Sequence, residues 1–327
     1  MLRFLTARGH EYTVKHLVEH DMTGAEAPDC AVENYEEFLQ KKEVPSGAYI
    51  FTDMERLMPW ELRVVGEAYS ALAGDPRCRV LNNPAKVMCR YELLRNMQAE
   101  GINEFEAIRA DERRRPQKYP VFVRNEQDHG RPLSTELLKN WEELAAALEK
   151  ARTDGMSLRG LLIVGYAAEA FDGPWFRKFN TFRVGDEVFG HHLVIEDSWV
   201  VKYGNDKVKL PEEYKVFEQK FVKENWHADV LRRVFTMAGI EYGRADWGIV
   251  GGKVQVYEIN TNPYVSGEAG STNPTRVATM AISTRKLCES LAALEKGPGS
   301  GTVKLGGKLL EEWRKGRKWW VRGEKRP

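Results

Sequence analysis

The sequence predicts a small α/β domain with a parallel sheet, followed by a larger α+β body. In the first 84 residues, short apolar strands alternate with segments whose apolar residues recur at helical spacing, an order typical of a parallel sheet covered by helices. In the middle and late chain strands predominate, and the clearest of them form a hairpin. A glycine-rich stretch at 297–301 precedes a basic C-terminal tail and predicts a flexible linker.

The first elements are bounded by turn-forming residues. The Gly74-Asp75-Pro76 segment ends the helix predicted over 60–73, and Asn82-Asn83-Pro84 ends a strand. Strands are predicted over 2–6, 49–52 and 79–81, and a shorter helical segment over 34–42.

The rest of the chain mixes both kinds of element, without an internal repeat. Helices are predicted over 85–100, 135–153, 211–239 and 275–295. Strands are predicted over 105–108, 119–124, 161–164, 180–188, 194–195, 199–202, 245–249 and 253–259, with a polar loop at 125–133. The predicted parts are an N-terminal α/β domain (1–84), a central subdomain (85–160), a C-terminal subdomain (161–296), and a linker with a tail (297–327).

Composition excludes several classes of protein. Of the 327 residues, 42% are hydrophobic and 30% are charged, so the chain is globular rather than disordered. No stretch approaches the roughly 18 apolar residues that cross a bilayer, and the N-terminus lacks the apolar run of a secretory signal. The four cysteines lie far apart, without metal-type spacing or a disulfide framework. We therefore expect a cytoplasmic protein with reduced, buried thiols.

The charge is concentrated in the tail. Between 303 and 327, nine Lys and Arg stand against three Glu, a net of +6, which leaves −5 for the rest of a chain whose total is +1. A dedicated nucleic-acid binder would carry its basic surface on the fold itself, so no nucleic-acid partner is expected. The tail also holds Trp313, Trp319 and Trp320. Three interpretations stay open: it packs on the body or in an oligomer, contacts an anionic partner or membrane face, or stacks on a polymeric substrate.

The hairpin predicted over 245–259 gathers oxygen-bearing side chains. Because a strand points alternate side chains to one face, Glu258 and Asn260 look in the same direction. Asp246, on the partner strand, reaches that face if the register allows it. Two carboxylates and an amide suit Mg²⁺, which prefers oxygen ligands in octahedral geometry. An ordinary surface hairpin with polar residues outward fits the same pattern.

Asp246, Glu258-Ile259-Asn260 and the following Thr261-Asn262-Pro263 resemble the magnesium-binding signature of the ATP-grasp superfamily. The separation of twelve and then two residues is similar to that of its glutathione-synthetase and ribosomal-protein glutamate ligase branches, and the likeness covers about residues 80–295. It implies an N-terminal parallel-sheet domain, a central lid domain and a C-terminal antiparallel-sheet domain. It also implies ATP with Mg²⁺, or Mn²⁺ as a substitute, and the metal ligands Asp246, Glu258 and Asn260.

The resemblance implies which residues hold the phosphates of ATP. The strand predicted over 119–124 resembles the phosphate-binding strand of the family, with Arg124 where a lysine is usual. Arg90, on the preceding helix, occupies a position where a lysine or arginine is expected. Arginine keeps the positive charge and can fork across phosphate oxygens. The loop over 125–133 would cover the phosphates, with His129 and the backbone at Gly130 as donors.

The resemblance also implies a site for the base and ribose. Residues 161–166 resemble the strand that meets adenine, which makes Val164 and Tyr166 candidates. Gly165 stands where the family commonly has a glutamate, and Glu169, a few residues later, is a candidate for a ribose contact.

By resemblance, one or more of Arg177, Lys178, Arg183 and Arg244 face the γ-phosphate and an acyl-phosphate intermediate, where cations stabilise the transferred group. Arg177 and Lys178 are adjacent, so only one of them points inward on a strand, and the alignment favours Lys178. Arg183 has the parity of Arg177 if the strand is regular.

After the metal motif, Asn262 and Arg276 are candidates for contacting the substrate, Arg276 through a substrate carboxylate. Two histidine pairs, His191-His192 and the helix-spaced His16 and His20, lack a third ligand at a suitable distance. For both pairs we expect surface positions or satisfied hydrogen bonds.

The first interpretation of function is a carboxylate–amine ligase. A small-molecule or peptide carboxylate would attack ATP, and an amine would displace phosphate from the acyl phosphate to give an amide, ADP and phosphate. No protein nucleophile is needed, in agreement with the missing Ser-His or Cys-His arrangement. Two alternatives stay open: a kinase acting on a hydroxyl, and a non-catalytic nucleotide-binding protein, for which Arg124 and Gly165 would be reasons. A homo-oligomer is among the expectations, since paired subunits are common in the resembled family.

Overall fold

A parallel sheet of four strands forms the N-terminal part of the chain. The structure is a computed structural model that describes residues 1–127, 130–202, 210–266, 271–296 and 299–315. The first elements are β1 (Leu2–Thr6), α1 (Lys15–Val18), β2 (Cys30–Asn34), α2 (Tyr35–Gln40), β3 (Glu43–Pro45), β4 (Ala48–Phe51), α3 (Pro59–Ala73) and β5 (Arg79–Leu81). Four of the strands pair in the order β2-β1-β4-β5, all parallel.

The two faces of this sheet enter different cores. Leu5 and Phe51 pack with α2 and α3 on one face. Phe4, on the other, belongs to a core shared with Phe182 and Tyr242 of the C-terminal sheet, and its ring lies 5.5 Å from that of Tyr242. Because alternate residues of a strand serve opposite faces, one short strand links the N-terminal layer to the C-terminal sheet.

A three-stranded antiparallel sheet follows. Its elements are α4 (Arg90–Ala99), β6 (Ala107–Arg109), β7 (Val121–Asn125), α5 (Trp141–Thr153) and β8 (Leu161–Gly165), and the strand order is β6-β8-β7. Helix α5 begins at Trp141 because the side chain of Asn140 accepts a hydrogen bond from the N–H of Glu143 at 2.9 Å. The helix predicted to begin at 135 therefore begins six residues later. Since β8 pairs with β6 and β7, the central sheet extends past the boundary predicted at residue 160.

The C-terminal sheet is antiparallel and carries two helices on one face. Its elements are β9 (Ala170–Asp172), β10 (Trp175–Val184), β11 (Glu187–Glu196), α6 (Glu212–Glu224), α7 (Ala228–Met237), β12 (Tyr242–Val250), β13 (Lys253–Asn260) and the long α8 (Pro274–Glu295). The order is β11-β10-β12-β13, with β9 beside β10. Phe179 and Trp247 stack at 4.4 Å on the face that meets Phe221 of α6, whereas Phe182 and Tyr242 pack with the N-terminal sheet.

The last described segment returns to the N-terminal domain. β14 (Thr302–Lys304) pairs antiparallel with β3, and α9 (Lys308–Arg314) lies against α3. Leu305, Leu310 and Trp313 are buried there. Trp319 and Trp320 lie outside the described residues.

The predicted fold class is confirmed, since a parallel N-terminal sheet precedes two antiparallel sheets. The strand predicted over 199–202 is wrong, because the chain there turns instead of pairing with a neighbour. No helix within the described ranges combines the length and the hydropathy that a membrane span requires.

Candidate active site

The hairpin of β12 and β13 places four polar side chains on one face. Asp246 lies directly opposite Glu258, and Arg244 lies opposite Asn260. Cross-strand partners point to the same side, and residues two apart do so as well. A shift of register follows Asp246, and Trp247 turns into the core against Phe179. The face opposite the helices therefore carries both predicted carboxylates and the predicted amide.

Asp246 is held between two cations. Lys178 Nζ of β10 lies 2.8 Å from Asp246 Oδ2, and Arg244 Nε lies 3.7 Å from Oδ1. The carboxylate is only 5% exposed. Within the described part of the chain, its Oδ1 is buried without a hydrogen-bond partner. A buried carboxylate oxygen of this kind is costly unless it serves another ligand.

Glu258 meets two arginines that come from the central subdomain. Arg90, at the start of α4, forms a close ion pair with it, and Arg124 Nη2 of β7 lies 3.5 Å from its Oε2. Arg90 also donates to the carbonyl oxygens of Asn125 and Glu126 at 3.2 and 3.0 Å. These bonds fix the guanidinium at the end of β7, so α4, β7 and β13 meet at one charged point.

A cleft runs from this charged point between the central and C-terminal sheets. Its polar end is formed by Arg124, Lys178, Lys202, Asp246 and Glu258. Its other end is lined by the apolar and aromatic side chains of Leu94, Phe105, Phe122, Trp199, Ile249 and Tyr257. The predicted Val164, Tyr166 and Gly130 also border the cleft. An apolar slot that opens on a cluster of cations suits a flat base joined to phosphates.

The polar groups of Tyr257 and Glu169, which border the cleft, form hydrogen bonds with the protein backbone. Tyr257 donates its hydroxyl to the carbonyl of Ala167 at 2.9 Å. The Glu169 carboxylate accepts the N–H of Gly251 at 2.6 Å, so it ties the turn between β12 and β13 to the segment after β8. The structure thus gives Glu169 a bracing contact where the sequence predicted a ribose contact, although the residue still borders the cleft.

Gly165 ends β8 where a side chain would be crowded. A Cβ at this position would lie 3.1 Å from the Cβ of Phe105, and the N–H of Gly165 donates to the carbonyl of Glu106 at 2.9 Å. The close approach of the two backbones accounts for a glycine in place of the glutamate of the resembled family.

The neighbouring Arg177 and Lys178 both border the cleft but make different contacts. Arg177 lies against the rings of Phe171, Phe179 and Phe217, with its guanidinium carbon 4.7, 5.6 and 4.9 Å from their centroids. Burial lowers the pKa of Arg177. Lys178, the residue that the resemblance favoured as pointing inward, is the one that contacts Asp246.

The structure does not bring Arg183 to the charged cluster. Its Nε donates to the carbonyl of Gly185 at 2.8 Å, and its Nη1 lies 3.3 Å from Thr236 Oγ1. Strand parity fixes the face of a residue but not its position along the strand, and five residues of strand separate Arg183 from Lys178 by about 17 Å.

The two residues predicted to contact substrate serve as links between elements. Asn262 is 5% exposed, and its amide bonds Thr13, Thr6 and Asp53 of the N-terminal domain. Arg276, at the start of α8, donates to the buried Glu218 of α6 at 2.6 Å. The guanidinium that was predicted to hold a substrate carboxylate therefore already holds one from the protein.

A β-bulge brings His191 and His192 together. The register of β10 and β11 shifts between Asn180 and Thr181, so His191 is an extra residue. The two Nδ1 atoms lie 2.5 Å apart. Burial, with Arg244 and Arg276 nearby, lowers the pKa of His191 to about 3. Among the described residues, no group of three or more His, Cys, Asp and Glu side chains could hold a metal ion.

Sequence patterns missed one cation and most of the apolar lining. Lys202 borders the cleft beside Lys178, and burial lowers its pKa while Glu258 acts in the opposite direction. The sequence placed it in a strand, and no spacing signal marked it. The predicted phosphate-loop residue His129 lies outside the described residues.

Comparison with known proteins finds similarity in structure but not in sequence. No protein-family model matches the chain, and no curated protein sequence matches it. The structure of a D-alanine–D-alanine ligase from Bacillus anthracis aligns with a TM-score of 0.52 at 10% identity, covering 90% of this chain and 97% of that one. The D-alanine–D-alanine ligase from Coxiella burnetii aligns with a TM-score of 0.50 at 11% identity, covering 99% of both chains. At such identities the likeness establishes the fold.

Proposed function

Because the chain has the ATP-grasp fold, we propose that it is an ATP- and magnesium-dependent ligase that joins a carboxylate to an amine. The observation that carries the proposal is the pair of opposed carboxylates, Asp246 and Glu258, set among Arg90, Arg124 and Lys178 at the polar end of an aromatic cleft. The two solved structures of similar fold are ligases by name, which favours a ligase over a kinase on the same scaffold.

The cleft supports nucleotide binding through its two unlike ends. The base would lie between Val164, Tyr166 and Tyr257, and the phosphates would reach Arg124 and Lys178. Arginine binds phosphate oxygens in pairs, so replacing lysine by Arg124 keeps the function of that position. Gly130 also borders the cleft.

The donor set fits Mg²⁺. Asp246 and Glu258 are opposed in register, and Asn260 follows on the same face. The observation that supports a ligand there is the buried Oδ1 of Asp246, which accepts no hydrogen bond from the described residues. Mg²⁺ and Mn²⁺ both accept such oxygen ligands. When bound, the ion would neutralise the charge of the nucleotide phosphates.

The chain's own cations would then act on the reacting groups. Arg90 and Arg124 would exchange Glu258 for phosphate oxygens and hold the nucleotide in place. Lys178 and Arg244, which contact Asp246, would stabilise the charge that develops on the transferred phosphoryl group. The substrate carboxylate would take up that group as an acyl phosphate, and the amine would displace phosphate to form the amide. The substrates we propose are small molecules or peptides.

The test uses purified protein with Mg·ATP and a panel of L- and D-amino acids that serve as both carboxylate and amine. Hydroxylamine in parallel reactions captures an acyl phosphate as a hydroxamate, whatever the natural amine is. We expect ADP release together with a hydroxamate, and an amide detected by mass spectrometry. Asp246→Asn should abolish all three products. A stable phosphate ester would instead indicate a kinase, and ATP binding by calorimetry without turnover would indicate a non-catalytic protein.

A further inference from the structure

The order of the N-terminal sheet reverses direction between β1 and β4. The chain passes from β1 to β2 on one side and then crosses back to β4 on the other, giving the order β2-β1-β4-β5. In open parallel sheets of this kind, ligands bind outside the carboxyl ends of the strands where the direction reverses. Here that crevice lies between the ends of β1 and β4.

A buried carboxylate with an attached histidine occupies this crevice. Asp53 follows β4, is 2% exposed, and adopts a left-handed backbone with φ of 55°. Its Oδ2 accepts from the hydroxyl of Thr6, from the N–H of Ala7 at 3.0 Å and from His10 Nδ1 at 3.2 Å. Backbone strain of this kind persists only where the surroundings impose it, and it is common at functional sites.

The contact with Asp53 sets the chemistry of His10. A carboxylate only accepts hydrogen bonds, so Nδ1 of His10 carries the proton and Nε2 is the acceptor. The His10 side chain is 26% exposed, so the ring is partly open to solvent. An imidazole oriented in this way by a carboxylate is the arrangement of a general base.

The crevice is joined to the metal ligands through one residue. Asn262 donates from Nδ2 to Asp53 Oδ2 at 2.9 Å, and its backbone N–H donates to Asn260 Oδ1 at 2.8 Å. Two hydrogen bonds of Asn262 thus connect Asp53, the partner of His10, with the proposed metal ligand Asn260. The dyad stands beside the reaction centre, on the side that belongs to the N-terminal domain.

We propose that this crevice binds the amine substrate and that His10, oriented by Asp53, accepts the proton that the amine loses. The inference rests on the proposed ligase function. The amine nitrogen attacks the carbonyl carbon of the acyl phosphate and forms the C–N bond, while the C–O bond to phosphate breaks and phosphate leaves with the electron pair. Before the attack, Nε2 of His10 takes one proton from the ammonium group, and Asp53 stabilises the imidazolium. The second proton that the nitrogen loses on forming the amide leaves with the phosphate.

The experiment separates formation of the acyl phosphate from its capture by an amine. Hydroxylamine is largely uncharged at neutral pH and needs no base, whereas an amino acid must lose a proton before it attacks. As the carboxylate substrate, the experiment uses the panel member that gives most hydroxamate with the unaltered protein. As the amine substrate, it uses the amino acid that the unaltered protein ligates fastest. For His10→Ala we expect amide formation to fall about 10²–10⁴-fold, with hydroxamate formation within about threefold of the unaltered rate. Added imidazole should restore part of the amide rate.

His16 provides a matched control. Its Nδ1 lies 3.2 Å from Asp21 Oδ2, the same distance as in the His10 pair, but the Asp21 side chain is 63% exposed whereas that of Asp53 is 2% exposed. His16→Ala should leave both rates unchanged. His10→Asn, whose amide can still donate to Asp53, should behave like His10→Ala and keeps the test valid if the alanine variant folds poorly.

Each outcome decides between the two levels of the proposal. Loss of both rates in folded His10 variants, or no loss of either, would overturn the role of His10 while leaving the ligase assignment intact. If the unaltered protein forms neither hydroxamate nor amide, the ligase function itself has failed, and the inference fails with it.

Discussion

Replacing Glu258 by glutamine keeps the size of the side chain and removes the charge that Arg90 and Arg124 share. The side chains of Arg90 and Glu258 are 5% and 10% exposed, so the remaining cation would stay buried. Removing one partner of a buried ion pair costs about 3–5 kcal/mol. Arg90 keeps its bonds to the carbonyls of Asn125 and Glu126, so we expect a loss near the lower end, about 3 kcal/mol in the free energy of unfolding.

The same substitution should change how ATP binding depends on magnesium. Without Mg²⁺, Glu258 repels the phosphates and occupies two arginines that would bind them, so Glu258→Gln should tighten binding by about tenfold, equivalent to 1.4 kcal/mol. With Mg²⁺ the variant lacks a metal ligand, so the gain in affinity that the ion brings should shrink by at least the same factor. Stability and nucleotide affinity would then move in opposite directions.

Urea denaturation measures the first effect, and calorimetric titration of ATP in EDTA and in Mg²⁺ measures the second. Glu106→Gln is the control, because Glu106 is similarly buried and pairs with Arg114 at 3.1 Å outside the cluster. It should lose stability without altering the effect of Mg²⁺. If Glu258→Gln unfolds at the same urea concentration as the unaltered protein and binds ATP with unchanged magnesium dependence, Glu258 is neither the counter-ion nor the ligand that we infer.

Two further substitutions test the surroundings of the site. Asn262→Ala removes the amide that bonds Asp53 and leaves buried polar groups unsatisfied, so the free energy of unfolding should fall by about 1–3 kcal/mol in urea denaturation; Asn96→Ala, at an exposed helix position, should cost less than about 0.5 kcal/mol. Burial lowers the pKa of His191 from 6.5 to about 3, so the unfolded chain takes up the proton first. Stability should therefore be lost as the pH falls from 6.5 toward 3, by up to about 1.4 kcal/mol per pH unit. His191→Gln should flatten this part of the profile of unfolding free energy against pH, and an unchanged profile would show that His191 is not held neutral.

The metal hairpin could be predicted because its geometry is local. Asp246 and Glu258 lie twelve residues apart around a tight turn, so the sequence predicts that they lie on paired strands. Regular pairing from the turn to Trp247 and Val256 would set Asp246 opposite Tyr257, and the register shift after Asp246 is what places Glu258 opposite it. The order of strands and helices could be predicted because it also depends on local pattern. Helix ends were harder to predict, because the start of α5 depends on whether the Asn140 side chain caps it.

The counter-ions of the site could not be predicted from local pattern. Arg90 and Glu258 are 168 residues apart, and they meet only because the central and C-terminal sheets close on one cleft. The same holds for Asn262, which reaches Thr6 across 256 residues. The sequence identified Arg90 by resemblance and Asn262 by its motif, but it gave neither residue its partner.

Two predicted site residues have partners elsewhere, for a common physical reason. Arg183 shares the side-chain parity of Arg177 rather than that of Lys178, and it lies near the turn between β10 and β11 with Gly185 as its partner. Glu169 borders the cleft, yet its carboxylate accepts a hydrogen bond from the N–H of Gly251. Periodicity determines which face a side chain shares, whereas its partner depends on which polar group of another segment comes nearest.

The charges of the site imply that metal and nucleotide bind together. Together with Lys202, which borders the same end of the cleft, Arg90, Arg124, Lys178 and Arg244 bring five positive charges to two carboxylates, an excess of three. A divalent ion alone would approach against this excess, and a nucleotide alone would meet two carboxylates. Bound together, the ion takes the carboxylates and the phosphates take the cations, so every charge has a partner. The affinity of each should therefore rise in the presence of the other by the same factor, as linkage requires.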